Sequence, residues 1–341
     1  MEACRTALRA LVAGQTLSSD AAEQAMGEVL AGQCSPTLVA GLLTALARRP
    51  ETADELSGFA RAVRKVANPL PGAEHALCPC GTGGSGLETA NTSTSVAFVL
   101  AAAGVPVAKH GNRAASGRCG SADVLEQLGI AVDVPLEVAG EHLRDLGLAF
   151  LFAPRAHPAL RQLAPIRREL GFSTVFNVLG PMCNPASVRR QVLGVADRRR
   201  AEPMVRALQQ LGSERVLAVS GHDGLDELSL SAPSQVVQLH DGQVTVQTWT
   251  PEEAGLARVA PEQLRGGDAA TNAVILLDVL AGRPSAHADL TALNAGAGLL
   301  LAGRAADLRE GVNQAKAVLV SGAARDLLER YRERCAFVRA A

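Results

Sequence analysis

Apolar positions recur with helical spacing through residues 1–67. Leu8, Leu11 and Val12 form one set, Ala25, Val29 and Leu30 a second, and Leu38, Leu42 and Leu43 a third. That i, i+3, i+4 rhythm predicts three or four amphipathic helices. Ser18 and Ser35 suit helix N-caps, and Pro36 falls at a first helical position, where its missing N–H leaves nothing unsatisfied. Asn68-Pro69-Leu70-Pro71-Gly72 then breaks the rhythm and reads as a linker.

From Ala76 onward, short apolar runs alternate with helical spacings. Residues 105–108, 131–134, 149–153, 191–195 and 215–220 predict strands, and residues 124–128, 138–146 and 202–211 predict helices between them. Such alternation predicts an α/β domain with a mostly parallel central sheet. Residues 236–247, centred on Asp241-Gly242, predict a β-hairpin. From Thr271 the chain returns to Ala- and Leu-rich helical spacing with little that suggests chemistry.

Composition narrows the function classes. With 341 residues, 48% hydrophobic and 20% charged, the chain can bury a real core and is long enough for two domains. A net charge of −1 gives no bulk electrostatic reason to expect nucleic acid or an anionic membrane as partner. Arg198-Arg199-Arg200 reads as a solvated helix face. The longest weakly charged apolar stretch, 96–108, is too short to span a bilayer and contains Gly104 and Pro106. The first residues lack the layout of a signal peptide, so a cytoplasmic protein is expected. Seven scattered cysteines argue against a disulfide framework, and Cys78-Pro79-Cys80 has the wrong spacing for a zinc knuckle.

Candidate chemistry concentrates in residues 80–129. Gly81-Thr82-Gly83-Gly84-Ser85-Gly86 satisfies the G-x-G-x-x-G pattern, but a dinucleotide fingerprint needs a helix beginning within the glycines and an acidic residue about twenty positions on. Here the next helix cannot start before Asn91, and the following strand ends in Lys109-His110. Leu87-Glu88 stand where a P-loop would carry lysine. Asn91-Thr92-Ser93-Thr94 opens a helix that Gly104 closes, with more hydroxyls than one cap requires; the excess suits an anion or a hydrated Mg²⁺. Lys109-His110-Gly111-Asn112-Arg113 follows a strand, where α/β sheets carry ligands, and cations there are costly to bury without an anion. Ser121 is placed to cap the next helix with its N–H groups toward a phosphate. Asp226-Glu227 are adjacent carboxylates in a loop after a strand, a pairing that a hard cation such as Mg²⁺ would favour. Together these features predict a site for a polyphosphorylated sugar.

In this order the segments resemble the anthranilate phosphoribosyltransferase family, a branch of the nucleoside phosphorylase II-like phosphoribosyltransferases. The resemblance spans nearly the whole chain. It adds Phe152-Ala153-Pro154 with His157-Pro158, Pro165-Ile166-Arg167, Phe176-Asn177-Val178-Leu179-Gly180-Pro181 with Asn184-Pro185, and Gly224-Leu225-Asp226-Glu227. It implies transfer of the phosphoribosyl group of phosphoribosyl pyrophosphate to the amine of anthranilate, a step of tryptophan biosynthesis. By matching motif it implies that Gly81, Gly84, Ser85, Thr89, Asn91, Thr92, Ser93, Thr94, Lys109, His110, Gly111, Asn112, Arg113, Ser116, Gly117 and Ser121 surround the donor. Gly81, His110, Asn112 and Arg167 would face anthranilate, with Arg167 taking the carboxylate, and Ser93, Asp226 and Glu227 would hold two Mg²⁺ ions. The implied fold is a small helical domain, 1–68 joined by a segment near 160–190, hinged to a larger α/β domain, 73–341. A homodimer through the helical part is also implied.

The chain departs from that pattern at four positions. Ser85 and Cys78 stand where aspartate is usual, Gly117 where serine is frequent and Ser173 where arginine is frequent. Losing the loop aspartate removes a negative charge beside the metal and pyrophosphate, which predicts an altered Mg²⁺ dependence. Two other readings remain at this stage: a paralogue with another aromatic amine acceptor, and a catalytically silent relative that binds nucleic acid. The near-neutral charge and the intact Lys109, Asp226 and Glu227 speak against the second.

Overall fold

The computed structural model describes residues 1–114 and 118–340, with side chains described through residue 335. Four helices come first: α1 (Glu2–Val12), α2 (Ser19–Leu30), α3 (Pro36–Leu46) and α4 (Ala53–Lys65). The Ser18 and Ser35 hydroxyls accept from the backbone of Ala21 and Leu38, so both expected caps form. Helices α2 and α4 pack together, as do α1 and α3, and bury Leu42, Leu43, Leu46, Leu56 and Phe59.

The rest of the chain winds around one sheet. In order come β1 (Leu77–Gly81), α5 (Thr92–Ala102), β2 (Val107–Gly111), α6 (Ser121–Gln127), α7 (Leu136–Leu146), β3 (Leu148–Phe152), α8 (Ala153–Ala156), α9 (Ala164–Leu170) and α10 (Phe176–Met182). They are followed by β4 (Arg190–Gly194), α11 (Ala201–Gln210), β5 (Arg215–Gly221), β6 (Ser234–His240) and β7 (Gln243–Trp249). Helices α12 (Ala269–Leu280), α13 (Ala286–Leu301), α14 (Leu308–Val320) and α15 (Ala323–Ala340) close the chain. The seven-stranded sheet has the order β3-β2-β1-β4-β5-β6-β7. The strands from β3 to β5 are parallel, and the β6–β7 hairpin continues the sheet antiparallel. Asp241 and Gly242 both have positive φ, as a two-residue hairpin turn requires.

Each face of the sheet backs onto its own apolar core. One core joins Cys78, Cys80 and Leu193 to helices α1–α4, α10 and α11; the other joins Leu77, Val192 and Leu217 to α5 and α12–α15. Helix α9 packs on α3 and α10 on α4, so the segment near 160–190 contacts the N-terminal helices.

One expected strand is absent and one strand was unexpected. Residues 131–134 are not a strand: Val132 and Val134 are buried, one in each core, but the segment pairs with no strand among the described residues and runs into Pro135, the N-cap of α7. Burial, not strand pairing, explains that apolar run. Conversely β1, a central strand, was not singled out, because Cys-Pro-Cys carries neither alternation nor β-branched residues and is buried on both faces.

Candidate functional site

Strands β1, β2, β4 and β5 end together on one side of the sheet; the chain winds outward from β1 through β2 to β3, then crosses back to β4 on the other flank of β1. A crevice at such a switch point is where open α/β sheets take ligands. Gly81 and Gly194, which end β1 and β4, admit the 226 loop directly. A Cβ on Gly194 would lie 1.7 Å from the Asp226 carbonyl oxygen, and one on Gly81 would lie 2.9 Å from Asp226 Oδ2. No side chain fits at Gly194, and one at Gly81 would push the Asp226 carboxylate aside.

Pro79 opens the middle of this edge. Strand β1 keeps a five-residue register with β4 but pairs with β2 only at Leu77 opposite Val107. Proline has no N–H to give to the ladder. Its free carbonyl instead accepts from Lys109 Nζ at 3.0 Å, and the same ammonium donates to Ser93 Oγ at 3.1 Å. Lys109 is 3% exposed, and burial lowers its pKa against the opposing influence of Cys78, Cys80 and Glu227.

Asp226 and Glu227 flank the same cavity of about 50 Å³, lined also by Gly81, Ser93, Val96, Gly194 and Asn294. Burial pushes the Glu227 carboxyl up to about 8; neighbouring Asp226 adds to the rise, while the Thr92 hydroxyl, Lys109 and the Ser93 N–H pull against it. Glu227 Oε2 is buried with no hydrogen-bond partner. Burial also raises Asp226, although its Oδ2 accepts from the Gly83 N–H at 3.0 Å and its carboxylate is bonded by Ser85. Two adjacent carboxyls pushed upward, one with an orphaned oxygen, fit a hard cation. Among the described residues no cluster of three or more His, Cys, Asp or Glu side chains could hold a metal by itself, and the nearest further side-chain oxygen lining the cavity is the Ser93 hydroxyl.

The other expected donor residues that the structure describes lie in the loops after β1 and β2 and at the starts of α5 and α6. Gly84 lies in the exposed turn with positive φ, and Thr89 bridges to Arg265. Asn91 is the N-cap of α5 but makes no capping bond with its side chain, and Thr94 Oγ1 is buried without a partner. Gly111 lets the Ser121 hydroxyl and the Phe150 ring approach within 2.4–2.6 Å of where a Cβ would sit. Ser121 is not the N-cap of α6. That position is Gly120, whose N–H donates to Asp123 Oδ2 at 2.7 Å, while the Ser121 hydroxyl turns to the Asn112 carbonyl. Arg113 pairs with Glu126 at 2.6 Å and stacks on Phe152, so its guanidinium already has an anionic partner. Ser116 and Gly117 lie outside the described residues.

Consecutive residues of a strand point to opposite faces, and β2 uses this to divide the site. Lys109 turns toward Ser93, whereas His110 turns toward α10, where its Nδ1 lies 3.1 Å from the Gly180 carbonyl. That contact requires the proton on Nδ1 and leaves buried Nε2 as an acceptor without a partner. Burial, with His157 5.2 Å away ring to ring, pushes the His110 pKa down to about 3, so the imidazole is neutral. On the same side Arg167 projects from α9 over the Phe176 ring and donates to Asn177 Oδ1 at 3.4 Å. Burial alone lowers its pKa. Asn112 is exposed at the end of β2, its Oδ1 accepting from the Arg113 N–H.

Two asparagines in the C-terminal helices brace loops around the crevice, and Asn294 also lines its cavity. Asn294 of α13 accepts from the N–H of Leu228 at 2.9 Å and donates to its carbonyl at 3.1 Å, fixing the loop that carries Asp226 and Glu227. Asn272 of α12 donates to Asn91 Oδ1 at 2.9 Å. The only sequence signal for either is a lone amide inside an Ala- and Leu-rich helix.

A helical bundle feeding an α/β sheet, with cations and carboxylates at its switch point, defines a two-domain glycosyl transferase. The helical bundle domain of the glycosyl transferase family matches residues 5–67, and the a/b domain of that family matches residues 74–325. An anthranilate phosphoribosyltransferase of Rubrobacter xylanophilus is 48% identical over 96% of both chains. The crystal structure of anthranilate phosphoribosyltransferase from Thermus thermophilus superposes with a TM-score of 0.91 at 45% identity, over 97% of this chain and 99% of that one. The Saccharomyces cerevisiae enzyme, solved in complex with PRPP and Mg, superposes at 0.89 with 27% identity over 98% of each chain. This chain belongs to the anthranilate phosphoribosyltransferase family.

Proposed function

We infer that this chain transfers the phosphoribosyl group of 5-phosphoribosyl 1-pyrophosphate to the amine of anthranilate, giving N-(5-phosphoribosyl)anthranilate and pyrophosphate. The observation that carries the reading is the division at β2. Lys109, Ser93, Asp226 and Glu227 meet on one side, and neutral His110 lies on the other with Arg167, which has no carboxylate partner among the described residues. The donor then binds among Gly81, Gly84, Ser85, Thr89, Asn91 to Thr94, Lys109, Gly111, Asn112 and Ser121, with Ser116 and Gly117 as further expected contacts; the side chains of His110 and Arg113, also expected there, turn to Gly180 and Glu126 instead. Bound at Ser93, Asp226 and Glu227, two Mg²⁺ ions would offset charge on the departing pyrophosphate.

Lys109 and the loop N–H groups lie where negative charge grows as the ribosyl C1 bond breaks, and each well-aimed donor contributes about 3 kcal/mol in a closed site. Arg167 takes the acceptor carboxylate in a charge-assisted fork. An aromatic amine is neutral at pH 7, so attack on C1 needs no strong general base, and a His110 of pKa about 3 is not one. Orientation of amine against C1 supplies much of the remaining acceleration. The 68–72 linker is placed to act as a hinge that closes the helical part over the crevice, and the assembly is a cytoplasmic homodimer. Among the described residues no helix is long and apolar enough to cross a membrane.

The test is direct. Mixing protein, phosphoribosyl pyrophosphate and Mg²⁺ should remove anthranilate fluorescence, and a chelator should stop the loss. Persistence of the signal with all components present would overturn the reading.

A further inference from the structure

We propose that Asn272 is a positioning residue for the donor site: it fixes Asn91, and through Asn91 the start of α5, in the register that phosphate binding requires. The proposal rests on the reading that Thr92 and Ser93 line the donor site.

Asn272 is 2% exposed and sits one turn inside α12, whose N-cap Asp268 accepts from the Thr271 N–H. Asparagine is a poor residue for a helix interior, so its presence among Ala, Val and Leu calls for a tertiary reason. Both ends of its amide are used. Nδ2 donates to Asn91 Oδ1 across 181 residues of chain, and Oδ1 accepts from the Gly267 N–H at 2.8 Å.

The contacts of Asn91 extend the strut. Its Oδ1 also accepts from the Cys119 thiol at 3.2 Å, and its Nδ2 donates to the Cys119 carbonyl at 3.3 Å. The side chain is therefore engaged with protein at both ends, while its carbonyl accepts from the Thr94 N–H at 2.9 Å. The adjoining segment is tied to the same post. The Gly266 N–H donates to the Glu88 carbonyl at 2.7 Å, and Thr89 bridges to Arg265. A Cβ on Gly266 would come within 2.6 Å of both Asn272 Oδ1 and the Ala90 nitrogen, so this approach admits glycine alone. Residues 88–91, 118–120 and 265–268 thus converge on one buried amide. Immediately beyond Asn91 come the Thr92 hydroxyl and Ser93 N–H that engage Glu227, and the Ser93 hydroxyl that receives Lys109. A displaced Asn91 displaces all of them. Nothing in this strut reaches His110 or Arg167, so the acceptor side should not feel its loss.

Asn272→Asp separates the roles. It keeps the acceptor for Gly267 but turns a carboxylate oxygen toward Asn91 Oδ1, removing the donor. The KM for phosphoribosyl pyrophosphate should rise about tenfold, the scale of one lost buried hydrogen bond, with the KM for anthranilate within about twofold. Asn91→Ala, cut from the half-exposed side, should give the same split, and the double variant should be no worse than the poorer single one because both remove one strut. Multiplicative losses in the double variant, or a parallel rise in both KM values, would overturn the proposal. Ser93→Ala is the control on the site itself. If it leaves the donor KM unchanged, the placement of the donor is wrong; if it raises that KM while Asn272→Asp does not, only the role of Asn272 fails.

Discussion

On one face of β2, Lys109 meets Ser93 beside a half-buried carboxylate pair; on the other, His110 and Arg167 have no carboxylate partner among the described residues. Burial disfavours charge on both sides, but with opposite signs. It drives Glu227 up to about 8 and raises Asp226, whereas it lowers Arg167 and drives His110 down to about 3. On the proposed reading each side is thus short of the ion its substrate would bring: a cation with pyrophosphate for the carboxylates, and a carboxylate for Arg167. Because the two deficits lie on opposite faces of one strand, substitutions should affect one substrate without the other.

The largest expected effect is on the donor side. Asp226→Asn should lower turnover at saturating substrates by about 100- to 1,000-fold, the scale of losing one strong electrostatic contribution in a closed site. Fluorescence titration should show anthranilate still binding. If both are lost together, the two faces are not independent. The acceptor side answers with Arg167→Ala, which forfeits a charge-assisted contact of about 1.5–3 kcal/mol and should raise the anthranilate KM about 10- to 100-fold. The donor KM should stay within twofold. Arg167→Lys should recover only part, since an ammonium lacks the planar fork. Normal anthranilate affinity in the alanine variant would displace Arg167 from the acceptor pose.

His110 links the acceptor side to pH through stability. Its folded pKa of about 3 lies below the unfolded value near 6.5, so its contribution is fully present above pH 6.5 and is lost as pH falls toward the folded value. At pH 5 that loss is about 2 kcal/mol relative to a residue that does not titrate. Wild type should therefore lose thermal stability between pH 7.5 and pH 5 more steeply than His110→Gln. Equal slopes would mean that the imidazole takes a proton in the folded state, contrary to its burial against Gly180 and His157.

The sequence reading reached the loops better than their supports. Residues 81–94, 109–113 and 226–227 announce themselves because phosphate and cation chemistry needs glycines, hydroxyls and charges in unbroken runs. Gly104, Ser18, Ser35 and Asp241-Gly242 were legible because local backbone geometry alone requires them. Asn272 and Asn294 were not, since their partners lie 181 and 66 residues away and nothing local distinguishes them from unremarkable helix positions. Pro79 was equally silent. Its role arises only where a neighbouring strand brings Lys109 to the carbonyl that proline leaves unpaired. Residues 131–134 failed the other way, because an apolar run records burial without saying whether a strand or a loop is buried.

The smallest and most specific effect belongs to Ser85. Its hydroxyl lies beside Asp226 and helps hold that carboxyl against the rise caused by burial. Aspartate at this position would place a second charge beside Asp226, repulsive when the site holds no cation and a further oxygen ligand when it does. Ser85→Asp should therefore have two opposed effects: a lower melting temperature in Mg²⁺-free buffer, and half-maximal activity at several-fold lower Mg²⁺. The anthranilate KM should not move, because Arg167 and His110 lie across β2. An unchanged Mg²⁺ curve would mean that residue 85 does not face the metal when substrate is bound. The Asp226–Ser85 contact would then belong only to the ligand-free loop.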